Sequence, residues 1–233
     1  FSRDTDLKFD FVGVNYYDGQ GFMVPKALGV SSAKELDGAT VCIQTGTTTE
    51  LNLADFFRSN NMEYTPVPIE TNAEAQQQYL AGACDVYTTD ASGLAATRAA
   101  FEAPGDHVVL PEIVSKEPLG PLVRHGDNDW GDIVRWTLNA LIAAEELGVT
   151  SANIEELSAG TENPEVNRLL GTEGNLGEMI GLDAGWGKAA IAAGGNYGEL
   201  FEKNIGENTP IALSRGLNAQ WTDGGLLYAP PFR

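Results

Sequence analysis

Three consecutive threonines, Thr47, Thr48 and Thr49, follow Gly46 and precede Glu50. Residue types in this order suit the capture of a small anion. Gly46 permits a sharp turn, and Thr47-Thr48-Thr49-Glu50 is a helix-start pattern. A helix start leaves backbone N–H groups without intrahelical acceptors, and the helix dipole favours negative charge at the same spot. The plainer reading is a capped helix whose threonines bind only their own backbone. Other chemistries find less support. His107 and His125 are the only histidines, and no Cys/His/Asp cluster has metal-ligand spacing, so neither a metal site nor a cofactor is expected. There is no G-x-S-x-G nucleophile elbow. The run Gly181 to Ala189 resembles a phosphate loop but lacks the glycine spacing, the Ser/Thr and the preceding strand. Glu145-Glu146 and Glu155-Glu156 read as solvated helix faces.

The elements that must position the threonines alternate in type. Val41 and Ile43, set between Thr40, Cys42 and Gln44, suit a short buried strand. A helix is expected from about 47 to 60, with Leu51, Leu53, Ala54, Phe56 and Phe57 on its apolar face. An extended segment, Tyr64 to Ile69, carries Pro66 and Pro68 and so belongs at a sheet edge. A helix from about Asn72 to Leu80, a strand from Asp85 to Thr89, a helix from Asp90 to Phe101 and a short strand at Val108 to Leu110 follow. Strand–helix alternation with short connections predicts a parallel α/β sheet. Ligands sit beyond the carboxyl ends of such strands. Gly46 to Thr49 and Asp90 both lie at carboxyl ends and should face one crevice. Asp90 can equally serve as the N-cap of the helix it precedes.

Before this region lie an extended apolar segment, Phe9 to Val14, a turn-rich crossing, Tyr16 to Gly21, and a strand at Phe22 to Pro25. Beyond Pro118-Leu119-Gly120-Pro121 the pattern changes. Trp130, Ile133, Val134, Leu138, Leu141 and Ile142 recur at helical spacing, and the remainder to Arg233 is glycine-rich and helical in short pieces.

The chain has 233 residues, of which 42% are hydrophobic, enough to bury a real core. Thirty-three acids against fourteen bases give a net charge of −19, which argues against nucleic acid or an anionic membrane surface as a partner. It leaves a small anionic or zwitterionic ligand open, because local donors decide that. Cys42 and Cys84 are the two cysteines, each read at the start of a strand. A disulfide is the expectation if those strands are neighbours, with two buried thiols as the alternative. The chain begins at Phe1 without an initiator Met, which reads as a processed chain or a fragment.

Long runs in a fixed order resemble the periplasmic solute-binding proteins of ABC transporters for polar amino acids, and the general L-amino-acid subgroup most. They are YDGQGFMV (17–24), VCIQTGTTTELNLADFF (41–57), CDVYTTDASGLAA (84–96), SKEPLGPLVRHGDNDW (115–130), GNYGELFEKNIG (195–206) and RGLNAQW (215–221). The resemblance implies a type II two-lobe α/β fold that closes on one amino acid. It places lobe two at 19–118, a remnant of lobe one with the first crossover at 1–18, and the second crossover with the helical part of lobe one at 119–233. It implies that Arg3 pairs with the ligand's α-carboxylate, and that Thr48, following Gly46 and Thr47, donates backbone and hydroxyl hydrogen bonds to it. Asp90 would accept from the α-ammonium. A guanidinium, helix-start amides and an acid suit those two groups. The implied role is a non-enzymatic periplasmic protein that delivers a polar L-amino acid to an ABC permease.

The resemblance also implies an absent segment of lobe one ahead of Arg3, about a small domain in size. The apolar stripe on 130–142 would then need another partner, through rearrangement, a homodimer or a second chain. A truncated interaction module is the competing reading. An enzyme on this scaffold is disfavoured, because no histidine or unpaired carboxylate falls in the crevice to act as acid or base.

Overall fold

A computed structural model describes residues 8–233. The strands are β1 (Phe9–Phe11), β2 (Tyr16–Asp18), β3 (Gln20–Pro25), β4 (Thr40–Gln44), β5 (Thr65–Ile69), β6 (Val86–Asp90), β7 (His107–Val109), β8 (Glu117–Leu119) and β9 (Leu122–Arg124). Helices α1 (Thr48–Ser59), α2 (Asn72–Leu80) and α3 (Ala91–Ala100) alternate with the central strands. Helices α4 (Asn128–Glu146), α5 (Ile154–Ala159), α6 (Pro164–Leu170), α7 (Leu176–Met179), α8 (Trp186–Gly194) and α9 (Tyr197–Asn204) follow β9. The chain divides into two compact units, residues 18–117 and residues 1–17 with 118–233.

The 18–117 unit is built on a five-stranded sheet of order β5-β4-β6-β3-β7. Its inner strands β3, β4 and β6 are buried on both faces, so side chains of opposite parity serve two cores. Phe22, Val24, Val41, Ile43 and Val86 pack with Leu53 and Phe57 of α1 on one face. Met23, Cys42 and Tyr87 pack with Ala75 and Tyr79 of α2 and Leu94 of α3 on the other. The proline strand β5 lies at the edge, where missing N–H groups cost no ladder bonds.

The sheet is mixed, not wholly parallel. β4 runs parallel to β5 and β6, but β3 is antiparallel to both β6 and β7. Alternation signals which strands are joined by helices, and β3 precedes that alternation, entering straight from the crossing segment. Cys42 and Cys84 form a disulfide, with Cα atoms 5.6 Å apart. Cys42 lies inside β4 and Cys84 just ahead of β6, on the face covered by α2.

The second unit is mainly helical over its described residues. Ile142, Ala143 and Ala144 of α4, Leu169 and Leu170 of α6, Ile191 of α8 and Phe201 of α9 share one core, closed by Leu227 and Phe232. The α4 stripe is therefore divided: Trp136, Leu138 and Leu141 pack against this core, whereas Trp130 at the amino end is 53% exposed. β1 and β9 form a separate antiparallel pair.

Candidate ligand-binding site

Gly46, with φ +72°, turns the chain out of β4 in a left-handed conformation that a side chain would strain. Thr45 N–H donates to Ile69 O at 3.0 Å and holds the turn against the edge strand. Thr47 then caps α1: its hydroxyl donates to Gln44 O at 2.8 Å and accepts from Glu50 N–H at 3.4 Å. Glu50 reaches back to the Gly46 amide at 2.9 Å. Gly46 and Thr47 are thus committed to the turn and the cap. The amides of Thr48 and Thr49 have no preceding helical turn to accept from them, and Thr48 is exposed. These are the donors left for an anion.

Asp90 ends β6, the parallel neighbour of β4 in the register Val41↔Val86 and Cys42↔Tyr87. Thr48 and Asp90 therefore stand beyond the same end of the sheet. Asp90 occupies the N-cap position of α3, yet its side chain makes no capping bond. The Ser92 amide, which an N-cap side chain would take, donates instead to Asp18 Oδ1 at 3.4 Å, and the Ala91 amide donates to Gly19 O at 2.8 Å. Burial pushes the Asp90 carboxyl up to about 6, with the nearby Asp18 and Glu117 carboxylates adding to the rise. An acid held this way gains most from a cation.

Both neighbours have hydrogen-bond partners of their own. Asp18 accepts from Gly19 N–H at 2.8 Å and from the Ser92 hydroxyl. Glu117 accepts from the Ser115 hydroxyl at 2.8 Å and from the Asn52 carboxamide at 3.1 Å. Asn52 lies one helical turn beyond Thr48, so α1 brings both to the same face. Gln20, opposite Asp90 in the β3–β6 register, is completely buried.

The structure brings Thr48 and Asp90 to one sheet end, with Gly46 and Thr47 shaping the approach. Arg3 lies outside the described residues. Sequence reasoning missed Asp18, Gln20, Asn52, Ser115 and Glu117. Gln20 carried a signal, a polar residue at the start of an apolar run. Glu117 carried none, because its place beside Asp90 depends on the return crossing. Among the described residues there is no group of three or more His, Cys, Asp or Glu side chains arranged to hold a metal ion. Nor is any helix among the described residues long and apolar enough to cross a membrane.

An α/β unit with helix-start donors and an uncapped acid beyond one sheet end suits the binding of a small molecule. Relatives of known role narrow the class. The chain is 70% identical over 233 residues to the glutamate/glutamine/aspartate/asparagine-binding protein BztA of Rhodobacter capsulatus, covering all of this chain and 69% of that one. It is 55% identical over 234 residues to the general L-amino acid-binding periplasmic protein AapJ of Rhizobium johnstonii, covering 68% of it. Among solved structures, an ABC transporter periplasmic binding protein from Brucella ovis with glutathione bound superposes with a TM-score of 0.95 at 54% identity. That match covers 99% of this chain and 73% of the other. A scan against protein-family models finds no match. The protein belongs to the amino-acid-binding periplasmic proteins of ABC transporters, with their type II α/β fold and solute-binding role.

Proposed function

We propose that this protein captures a polar L-amino acid in the periplasm and delivers it to an ABC permease. The α-carboxylate sits at the Thr48 and Thr49 amides and the Thr48 hydroxyl, and the α-ammonium sits at Asp90. In this reading residues 19–118 are the lobe that carries these donors and the acid. One observation carries the proposal: Asp90 occupies a helix N-cap position without capping, beyond the same sheet end as an exposed helix start. The relatives' ligands support the choice of class. Glutamate, glutamine, aspartate and asparagine share one zwitterionic head, and the γ-glutamyl end of glutathione presents the same two groups.

Calorimetric titration with those five compounds tests the reading. At least one should bind with micromolar or tighter affinity, and Asp90→Asn should weaken it by about 100-fold. Absence of heat with every compound, on folded protein, refutes it.

A further inference from the structure

We infer that Gln20 is a positioning residue, whose buried carboxamide sets the spacing between the α1 tip and Asp90 and so selects ligands carrying both charged groups on one carbon. The inference rests on the amino-acid reading above and goes beyond it to a residue that the ligand does not touch.

Gln20 is 0% exposed, at the start of β3. Its Nε2 donates to Thr49 O at 3.1 Å and to the Thr88 hydroxyl at 3.0 Å. Thr49 is the neighbour of Thr48 in the first turn of α1, and Thr88 precedes Asp90 by two residues on β6. One amide group therefore ties the carboxylate-binding tip to the ammonium-binding strand. The tie is held from both ends. The Thr88 hydroxyl donates to Gly21 O at 2.7 Å, the Gln20 backbone N–H donates to the Ser115 hydroxyl at 3.1 Å, and Val114 N–H donates to the Gln20 backbone carbonyl at 2.9 Å.

The other half of the carboxamide gains nothing. Gln20 Oε1 is buried with no hydrogen-bond partner among the described residues. A buried acceptor left unpaired is costly, and an apolar side chain of similar volume would avoid that cost. What it would lose is the connection from Thr49 to Thr88. Recognition geometry is lost when supporting contacts let a site drift by a fraction of an ångström. A carboxylate and an ammonium on one carbon demand a fixed separation, and an extra methylene between them demands a longer one.

Titration of wild type, Gln20→Met and Thr88→Val with L-glutamate and with L-β-homoglutamate tests this. Wild type should prefer L-glutamate. Gln20→Met, folded by circular dichroism, should lower that preference by about tenfold. A role in stability alone would lower the melting temperature and leave the preference unchanged, and that result overturns the inference. Should Gln20→Met fail to fold, Thr88→Val decides. It keeps the bond to Thr49 and removes the strand anchor, so a reduced preference supports the inference and an unchanged one overturns it. If wild type binds neither compound nor any of the five named above, the amino-acid reading itself fails and this inference falls with it. If wild type binds and discrimination survives in the variants, only the inference fails.

Discussion

The two units bury apolar surface in different ways. In the 18–117 unit a sheet is covered on both faces, and strand residues alternate between two cores. In the other, helices surround one core; both units leave some large apolar side chains exposed, Leu51 at 68% in the first and Met179 at 74% in the second. The disulfide and the candidate site both belong to the sheet unit, whereas the four tryptophans all belong to the helical one. A layered sheet is closed by its own helices, so its strand ends can hold a site in fixed geometry.

That contrast can be broken or sharpened by measurement, because tryptophan emission reports one unit alone. The largest effect is expected from Phe57→Ala, which empties a side chain 1% exposed beneath α1. It should destabilise the sheet unit by about 3–5 kcal/mol. Denaturation followed by circular dichroism should show the loss while the tryptophan transition stays in place. Coincident shifts in both signals would mean that the units unfold as one. Next comes the disulfide, which closes a sequence separation of 42 residues. The Cys42→Ser/Cys84→Ser double variant should lose about 2–4 kcal/mol, again on the sheet-unit signal.

Acidity gives a third test. The folded Asp90 carboxyl titrates at about 6, above the ordinary value of about 4. Between these values the folded chain holds a proton that the unfolded chain has released, so stability falls as pH rises through the window and is level above it. Ligand affinity runs the other way. An ammonium needs the charged carboxylate, so affinity should rise through pH 6 with proton release, by at most about tenfold per pH unit below it. Calorimetry at pH 5 and pH 7.5 checks this, and Asp90→Asn should flatten the dependence. The smallest effect is expected from Trp130→Gln. An exposed ring in the helical unit should change stability by no more than about 0.5 kcal/mol, read by the same denaturation.

Much of this was legible in local patterns. Gly46 and the threonines announced the turn and the cap, because both are settled within a few residues. Pro66 and Pro68 announced an edge, because a residue without an N–H cannot serve two neighbours in a sheet. The apolar spacing of α4 announced a helix but not where its cover ends, since Trp130 and Ile142 lie on one stripe and differ in burial. Asp90 was open between cap and ligand contact, and its carboxylate is left uncapped because the Ser92 amide goes to Asp18. Asp18 and Glu117 were not legible as its neighbours, because they lie in the two segments through which the chain enters and leaves the sheet unit.

By itself, then, the sequence determined the kinds and order of the elements from β4 to β7, the helical spacing of α4, the helix-start donors and a resemblance spread over long runs. These follow from short-range sterics, hydrogen bonding and apolar periodicity along the chain. Only the tertiary structure decided the reversed direction of β3, the buried bridge from Gln20 to Thr49 and Thr88, and the raised affinity of Asp90 for its proton. Each depends on groups far apart in the chain being desolvated together, and local composition carries no record of which groups those will be.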